Sequence, residues 1–174
     1  MLEHATLLLL PWAAAPGGTP GGARQTRAVL DADTGRTLGF ACRRPANLPR
    51  GLGWLARPGL DVYETEDASL LLRLAGPRWF AGGWEVFDAE EHRVGSLRGS
   101  SVRDRLGRPL ARVVASPGRD ALRFVTPSGY EPSALVRSAA GGRLTFAPDL
   151  VGDPFAKMLL LAAALVLTDK PLAA

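Results

Sequence analysis

Asp153-Pro154-Phe155-Ala156-Lys157 leads into an unbroken apolar run from Met158 to Leu167, and the run closes at Thr168-Asp169-Lys170-Pro171. Asp before Pro is an N-cap followed by a favoured first helical residue, and Pro171 cannot continue a helix, so a helix is predicted from Pro154 to Leu167. Met158, Leu159, Leu160, Leu161, Leu165, Val166 and Leu167, together with Ala162, Ala163 and Ala164, leave no polar face at any angle. Such a helix must be covered on all sides. At about 1.5 Å per residue it is roughly 21 Å long, against a bilayer hydrocarbon core of about 30 Å. Lys157 and Asp169 bracket it closely, so a helix buried in protein is favoured over a membrane anchor. Burying its large side chains is worth on the order of 10–20 kcal/mol as an upper bound, enough to organise a small domain.

Upstream of this helix the punctuation is that of β-structure. Val29-Leu30-Asp31-Ala32-Asp33-Thr34-Gly35-Arg36 reads as a strand followed by an Asp/Gly turn, and Val86-Phe87-Asp88-Ala89-Glu90-Glu91-His92-Arg93 repeats the pattern. Three further hairpins are predicted: Val62 to Leu72, Val102 to Leu110, and Phe124 to Val136. Strands near Leu7 and over 144–146 are expected at the edges. A flat sheet covers only one side of a helix, so many short antiparallel strands with one all-apolar helix imply a mostly β chain: a closed barrel of about 12 strands around a buried hydrophobic C-terminal helix. Two stretches break the series. Residues 13–22, rich in Ala, Gly and Pro, read as a flexible connector, and 43–60 as a longer loop rich in Arg, Pro and Gly.

At 174 residues, 47% of them hydrophobic, the whole chain (1–174) fits one domain with a sizeable core. A lone cysteine, Cys42, excludes an internal disulfide framework and cannot by itself make a zinc site. The Leu7–Leu10 stretch lacks the basic leader of a signal peptide and is cut short by Pro11, so it reads as a strand and a cytoplasmic setting is expected. Net charge is +4, and Lys157 and Lys170 are the only lysines. An Arg-rich, Lys-poor composition can reflect base composition, so the position of the arginines carries more information than their sum.

With the hairpins and terminal helix in place, the chain resembles the tubby C-terminal-like superfamily, in particular its phospholipid-scramblase and LURP-one-related branches. Two segments carry the resemblance: Trp84-Glu85-Val86-Phe87-Asp88-Ala89-Glu90-Glu91-His92-Arg93-Val94-Gly95, similar to the family's recurrent hairpin, and Asp153-Pro154-Phe155-Ala156-Lys157-Met158, similar to the start of its central helix. The resemblance spans roughly residues 27–170 and implies a 12-stranded barrel threaded by that helix. It also implies an association with membranes or phosphoinositide head groups. The chain departs from the scramblase pattern in having no cysteine cluster and no proline-rich leader. Before the helix it offers only Asp149 and Asp153 where a calcium loop needs more oxygen ligands.

Catalysis finds little footing, and neither catalytic residue, metal site nor cofactor is expected. His4 lies near the start of the chain and His92 in a hairpin turn, neither placed to activate Cys42 or a serine. Glu64, Glu66 and Asp67, like Glu90 and Glu91, occupy turns where acidic side chains are solvated. Residues 93–123 differ: Arg93, Arg98, Arg103, Arg105, Arg108, Arg112, Arg119 and Arg123 face only Asp104 and Asp120. These are the outward positions of alternating strands, or an anion-binding face. In the second loop Arg43, Arg44, Arg50 and Arg57 surround Trp54, which either anchors at a headgroup interface or packs as a lid over the barrel end.

The expectation is a non-enzymatic module that binds anionic phospholipid peripherally at a membrane surface through Arg43, Arg44, Arg50, Trp54, Arg57, Arg93, Arg98, Arg103, Arg105, Arg108 and Arg112. The alternative is a protein-interaction or structural scaffold without a lipid ligand. Nucleic acid ranks below both, because the aromatic residues are not spaced as a stacking platform.

Overall fold

The computed structural model describes residues 1–11, 13–14, 25–44, 58–65, 68–76, 82–116 and 120–168. They form strands β1 (Thr6–Leu9), β2 (Ala13–Ala14), β3 (Gln25–Asp31), β4 (Thr37–Arg43), β5 (Gly59–Glu64), β6 (Leu70–Ala75), β7 (Trp84–Asp88), β8 (Arg93–Arg98), β9 (Ser101–Asp104), β10 (Pro109–Ala115), β11 (Ala121–Val125), β12 (Ser133–Ser138) and β13 (Gly141–Phe146). A 3-10 turn, Pro148–Gly152, leads to the helix α1 (Pro154–Leu167). Among the described residues no helix is long and apolar enough to cross a membrane.

Consecutive strands from β3 to β13 pair antiparallel as a meander, and β1 closes it by pairing with both β13 and β3. The result is a closed antiparallel barrel of 12 strands. The two-residue β2 continues the line of β1 along β3, opposite Gln25 and Thr26. The interruption falls at Pro11, which has no N–H for the ladder.

All five hairpins foreseen from the sequence form, as β3–β4, β5–β6, β7–β8, β9–β10 and β11–β12. Aspartate builds three of the turns. Asp31 accepts from the Thr34 hydroxyl at 2.6 Å and the Asp33 N–H at 3.2 Å. Asp88 accepts from the His92 N–H at 2.8 Å, and Asp104 from the Leu106 and Arg108 N–H groups, each at 2.9 Å. These side chains supply acceptors that a tight turn otherwise lacks.

Three sequence expectations are corrected. The strands at Leu7 and 144–146 are not edges, because Leu7 sits opposite Leu144 in the closing seam. Closure removes the edge, and with it the unpaired row of backbone groups. Ala13 and Ala14 belong to β2 rather than to a connector, whose remaining residues, 15–22, lie outside the described set. Arg43 ends β4 and pairs with Leu60 at the start of β5, so the second loop is narrower than 43–60. Its residues 45–57 also lie outside the described set.

Alternate residues point inward: Leu7, Leu9, Val29, Val62, Leu72, Leu74, Val86, Phe124, Leu135 and Leu144 have no exposed surface. The helix begins as its cap predicts, with the Asp153 carboxylate accepting the Ala156 N–H at 2.9 Å and Pro154 in the first position. Leu160, Leu161 and Leu165 have no exposed surface, and α1 packs against β8, β9 and β13.

A candidate anion-binding face on the barrel wall

A meander places successive connections at opposite ends. The five hairpin turns share the end where β13 stops and α1 starts, and the other connections share the end where α1 finishes. Turn chemistry therefore partitions charge. Asp31, Asp33, Glu64, Asp88, Glu90, Glu91, Asp104, Glu131, Asp149 and Asp153 gather at the hairpin end. Arg27, Arg43, Arg44, Arg98 and Arg137 lie toward the opposite end, where Asp120 is the acidic residue of the described connections. The polarity complements the helix, whose N-terminus carries a partial positive charge and whose C-terminus a partial negative one. Arg27, almost fully buried, donates from Nη1 to the Thr168 hydroxyl at the helix C-cap.

The arginines singled out in the sequence do not form one patch. Arg93, Arg103, Arg105 and Arg108 are at the hairpin end, and carboxylates or carbonyls occupy most of them. Arg108 Nε is 2.8 Å from Asp104 Oδ2, Arg93 Nε is 3.8 Å from Glu85 Oε1, and Arg103 Nη1 donates to the Gly107 carbonyl at 3.0 Å. Asp104 titrates below the usual carboxylate range: burial raises it, but the Arg108 hydrogen bonds outweigh that. Arg123 binds Glu131 at 2.6 Å. Arg44 grips the largely buried Asp61, which also receives Arg73 Nε at 3.1 Å, and the Asp61 hydrogen bond holds the Arg44 guanidinium above its ordinary pKa. Arg43 is half-buried at the end of β4. Arg50, Trp54, Arg57 and Arg119 lie outside the described residues.

Arg98, Arg105 and Arg112 remain, and Arg105 stands apart in the β9–β10 turn. Arg98 pairs in register with Ser101, and Ser101 with Arg112, so the three stand side by side across β8, β9 and β10. The neighbouring row, Leu97, Val102 and Ala111, is buried, so by alternation the Arg-Ser-Arg row faces out. Arg98 and Arg112 are exposed, and among the described residues neither has an ion-pair partner. Adjacent strands lie about 4.8 Å apart, so the two arginine backbones stand roughly 10 Å apart with the serine between them, a span that long guanidinium side chains can bridge around one anion.

The described residues assemble no nucleophile with a base. Cys42 is buried opposite Asp61, and burial followed by the Asp61 charge pushes its thiol pKa up, away from reactive thiolate. Asp88, Glu90 and His92 bring ligand atoms within 4.8 Å of one another, but Asp88 is already engaged by the His92 N–H and the turn is open to solvent.

Sequence reasoning missed the Arg44–Asp61–Arg73 contacts and the burial of Lys157. That lysine is 2% exposed, donates to the Leu2 carbonyl at 2.7 Å and lies 5.4 Å over the Phe146 ring. No local signal marks them, because each joins elements distant in sequence. No family model, curated protein or solved structure matches the chain.

Proposed function

We propose that the chain is a non-enzymatic module of the tubby-like and scramblase-like kind it resembles, binding anionic phospholipid at a membrane surface. In this reading α1 is the barrel's buried hydrophobic centre. The full burial of Leu160, Leu161 and Leu165 and the contacts of α1 with strands as far apart as β8 and β13 support that view. The observation that carries the lipid reading is the Arg98–Ser101–Arg112 row, two exposed and unneutralised guanidiniums on β8 and β10, either side of β9. Near an anionic membrane each arginine adds about 1 kcal/mol, so this pair is worth about 2 kcal/mol, or roughly 30-fold in affinity. Arg108, Arg123 and Arg44, already paired, contribute less.

Vesicle co-sedimentation at low and high salt tests it. Binding to phosphatidylserine or phosphoinositide vesicles is expected, with little to neutral phosphatidylcholine, fading as salt shortens the screening length. Arg98→Ala with Arg112→Ala should lower it roughly 30-fold. Equal, weak binding to all vesicles overturns the reading.

A second reading, a protein-interaction scaffold, draws on the hairpin end. There Phe155 is 57% and Leu106 67% exposed among acidic turns. It expects a stable partner with a basic, apolar face and no lipid preference.

A further inference from the structure

Beside the Arg-Ser-Arg row the barrel holds a cavity of about 190 Å³, lined chiefly by Trp84, Leu97, Val113, Ala163, Val166 and Leu167. Its lip is the β8–β9 turn, Gly99 and Ser100, with Ser101. On the outer side of the same turn, Ser100 and Ser101 also border a surface groove shared with Arg112, Val114 and Val125. Arg98 lies along the cavity's rim: a Cβ added to Gly83, a lining residue, would come within 2.7 Å of Arg98 Cγ. Glycine there lets the arginine stem lean toward β7, so its guanidinium has to swing back across β8 to share an anion with Arg112. One turn thus separates an apolar recess from two unpaired guanidiniums.

We propose that this turn is the seat of one anionic amphiphile, an alkyl or acyl phosphate. Its phosphate is held by Arg98, Arg112 and the Ser101 hydroxyl, and the near end of its chain lies in the cavity. The inference rests on the anionic-lipid reading and names the ligand class for it. Phosphate oxygens match the guanidinium fork, and a serine hydroxyl adds a neutral donor. The recess is of the size of the dry, roughly 150 Å³ cavities that accept a benzene-sized apolar group, so it takes several methylenes and not a whole chain. A nucleotide fits poorly, since its base would bring polar edges to a wall made of Leu, Val, Ala and one Trp.

Binding of inorganic phosphate and of butyl, hexyl and octyl phosphate, each below its micellar concentration, is measured by calorimetry on the full chain, with octyl phosphocholine, octanol and a single-stranded oligonucleotide alongside. Affinity is expected to rise about fourfold per methylene until the recess is full, and then to level off. Octanol and octyl phosphocholine should bind at least tenfold more weakly than octyl phosphate. Arg98→Ala and Arg112→Ala should each cost about tenfold for every phosphate. Val166→Phe should flatten the chain-length series while leaving butyl phosphate unchanged. A flat series in the unaltered chain, with anionic vesicles still bound through Arg98 and Arg112, overturns the cavity assignment and spares the surface reading. Failure to bind both vesicles and alkyl phosphates overturns the two together, and preference for the oligonucleotide assigns the row to nucleic acid.

Discussion

Two side chains show how the barrel spends polar groups outside the candidate site. Tyr130 donates its hydroxyl to Asp149, tying the β11–β12 turn to the 3-10 turn before the helix, and this bond pushes its pKa up to about 12. Because the folded value lies above the ordinary one, the bond's contribution is complete below about pH 10 and is lost as pH climbs through the folded value. In a Tyr63→Phe background, which leaves one tyrosine, tyrosinate absorbance should therefore rise near pH 12, and Asp149→Asn should bring it back toward 10. An unmoved titration on that substitution would assign the shift to something other than Asp149. Lys157 presents the opposite case. Its ammonium is buried in the first turn of α1, where the helix dipole disfavours a cation, with a carbonyl and an aromatic face in place of a carboxylate. Lys157→Met, similar in volume and apolar, should raise stability by about 1–2 kcal/mol, read as an increase in urea midpoint. A lower midpoint would mean that the bond to Leu2 outweighs the cost of burying the charge.

The helix is the element whose boundaries the sequence states most clearly, since cap, first-turn proline and apolar run are all local. Asp153→Ala removes the acceptor for Ala156 and should cost about 1 kcal/mol. Leu161, with no exposed surface, should cost about 2–5 kcal/mol as Ala, and as Asp should abolish the cooperative melt altogether. A folded Leu161→Asp chain would show that α1 does not organise the domain. What packs against the helix was not legible. Gly95 on β8 is required because a Cβ there would fall 2.2 Å from the Arg103 carbonyl and 2.7 Å from Leu159 Cδ2, a constraint that comes from a neighbouring strand and from the helix at once. Lys157 looked like a polar flank for the same reason: its environment is Leu2 and Phe146, which no periodicity within the helix encodes.

At the scale of the whole molecule the five hairpins were readable because each turn announces itself with a local cluster of Asp, Glu, Gly, Pro or Ser, whereas the seam was not, because Leu7 and Leu144 meet only once every intervening strand is placed. Charge partition follows the same division. The acidic turns were visible one by one, but their collection at one end, and the splitting of the arginines of residues 93–123 between two ends and the wall, comes from the alternation of the meander. The seam also makes a prediction about cooperativity. β1 is held on both sides, with Leu8 opposite Arg143 on β13 and opposite Leu30 on β3, so a closed barrel has no sacrificial edge. Leu8→Pro removes a ladder donor and leaves a carbonyl stranded, at about 1–3 kcal/mol for that group alone, and its ring obstructs pairing on β1. Leu8→Ala keeps the N–H and serves as control. If closure holds the barrel together, the proline variant should lower the urea midpoint seen by tryptophan fluorescence and by far-ultraviolet dichroism equally, and amides of β3 and β13 should exchange as fast as those of β1. Fast exchange confined to β1, with the midpoint unmoved, would instead make the seam a dispensable flap and place the stability of the fold in the meander from β3 to β13.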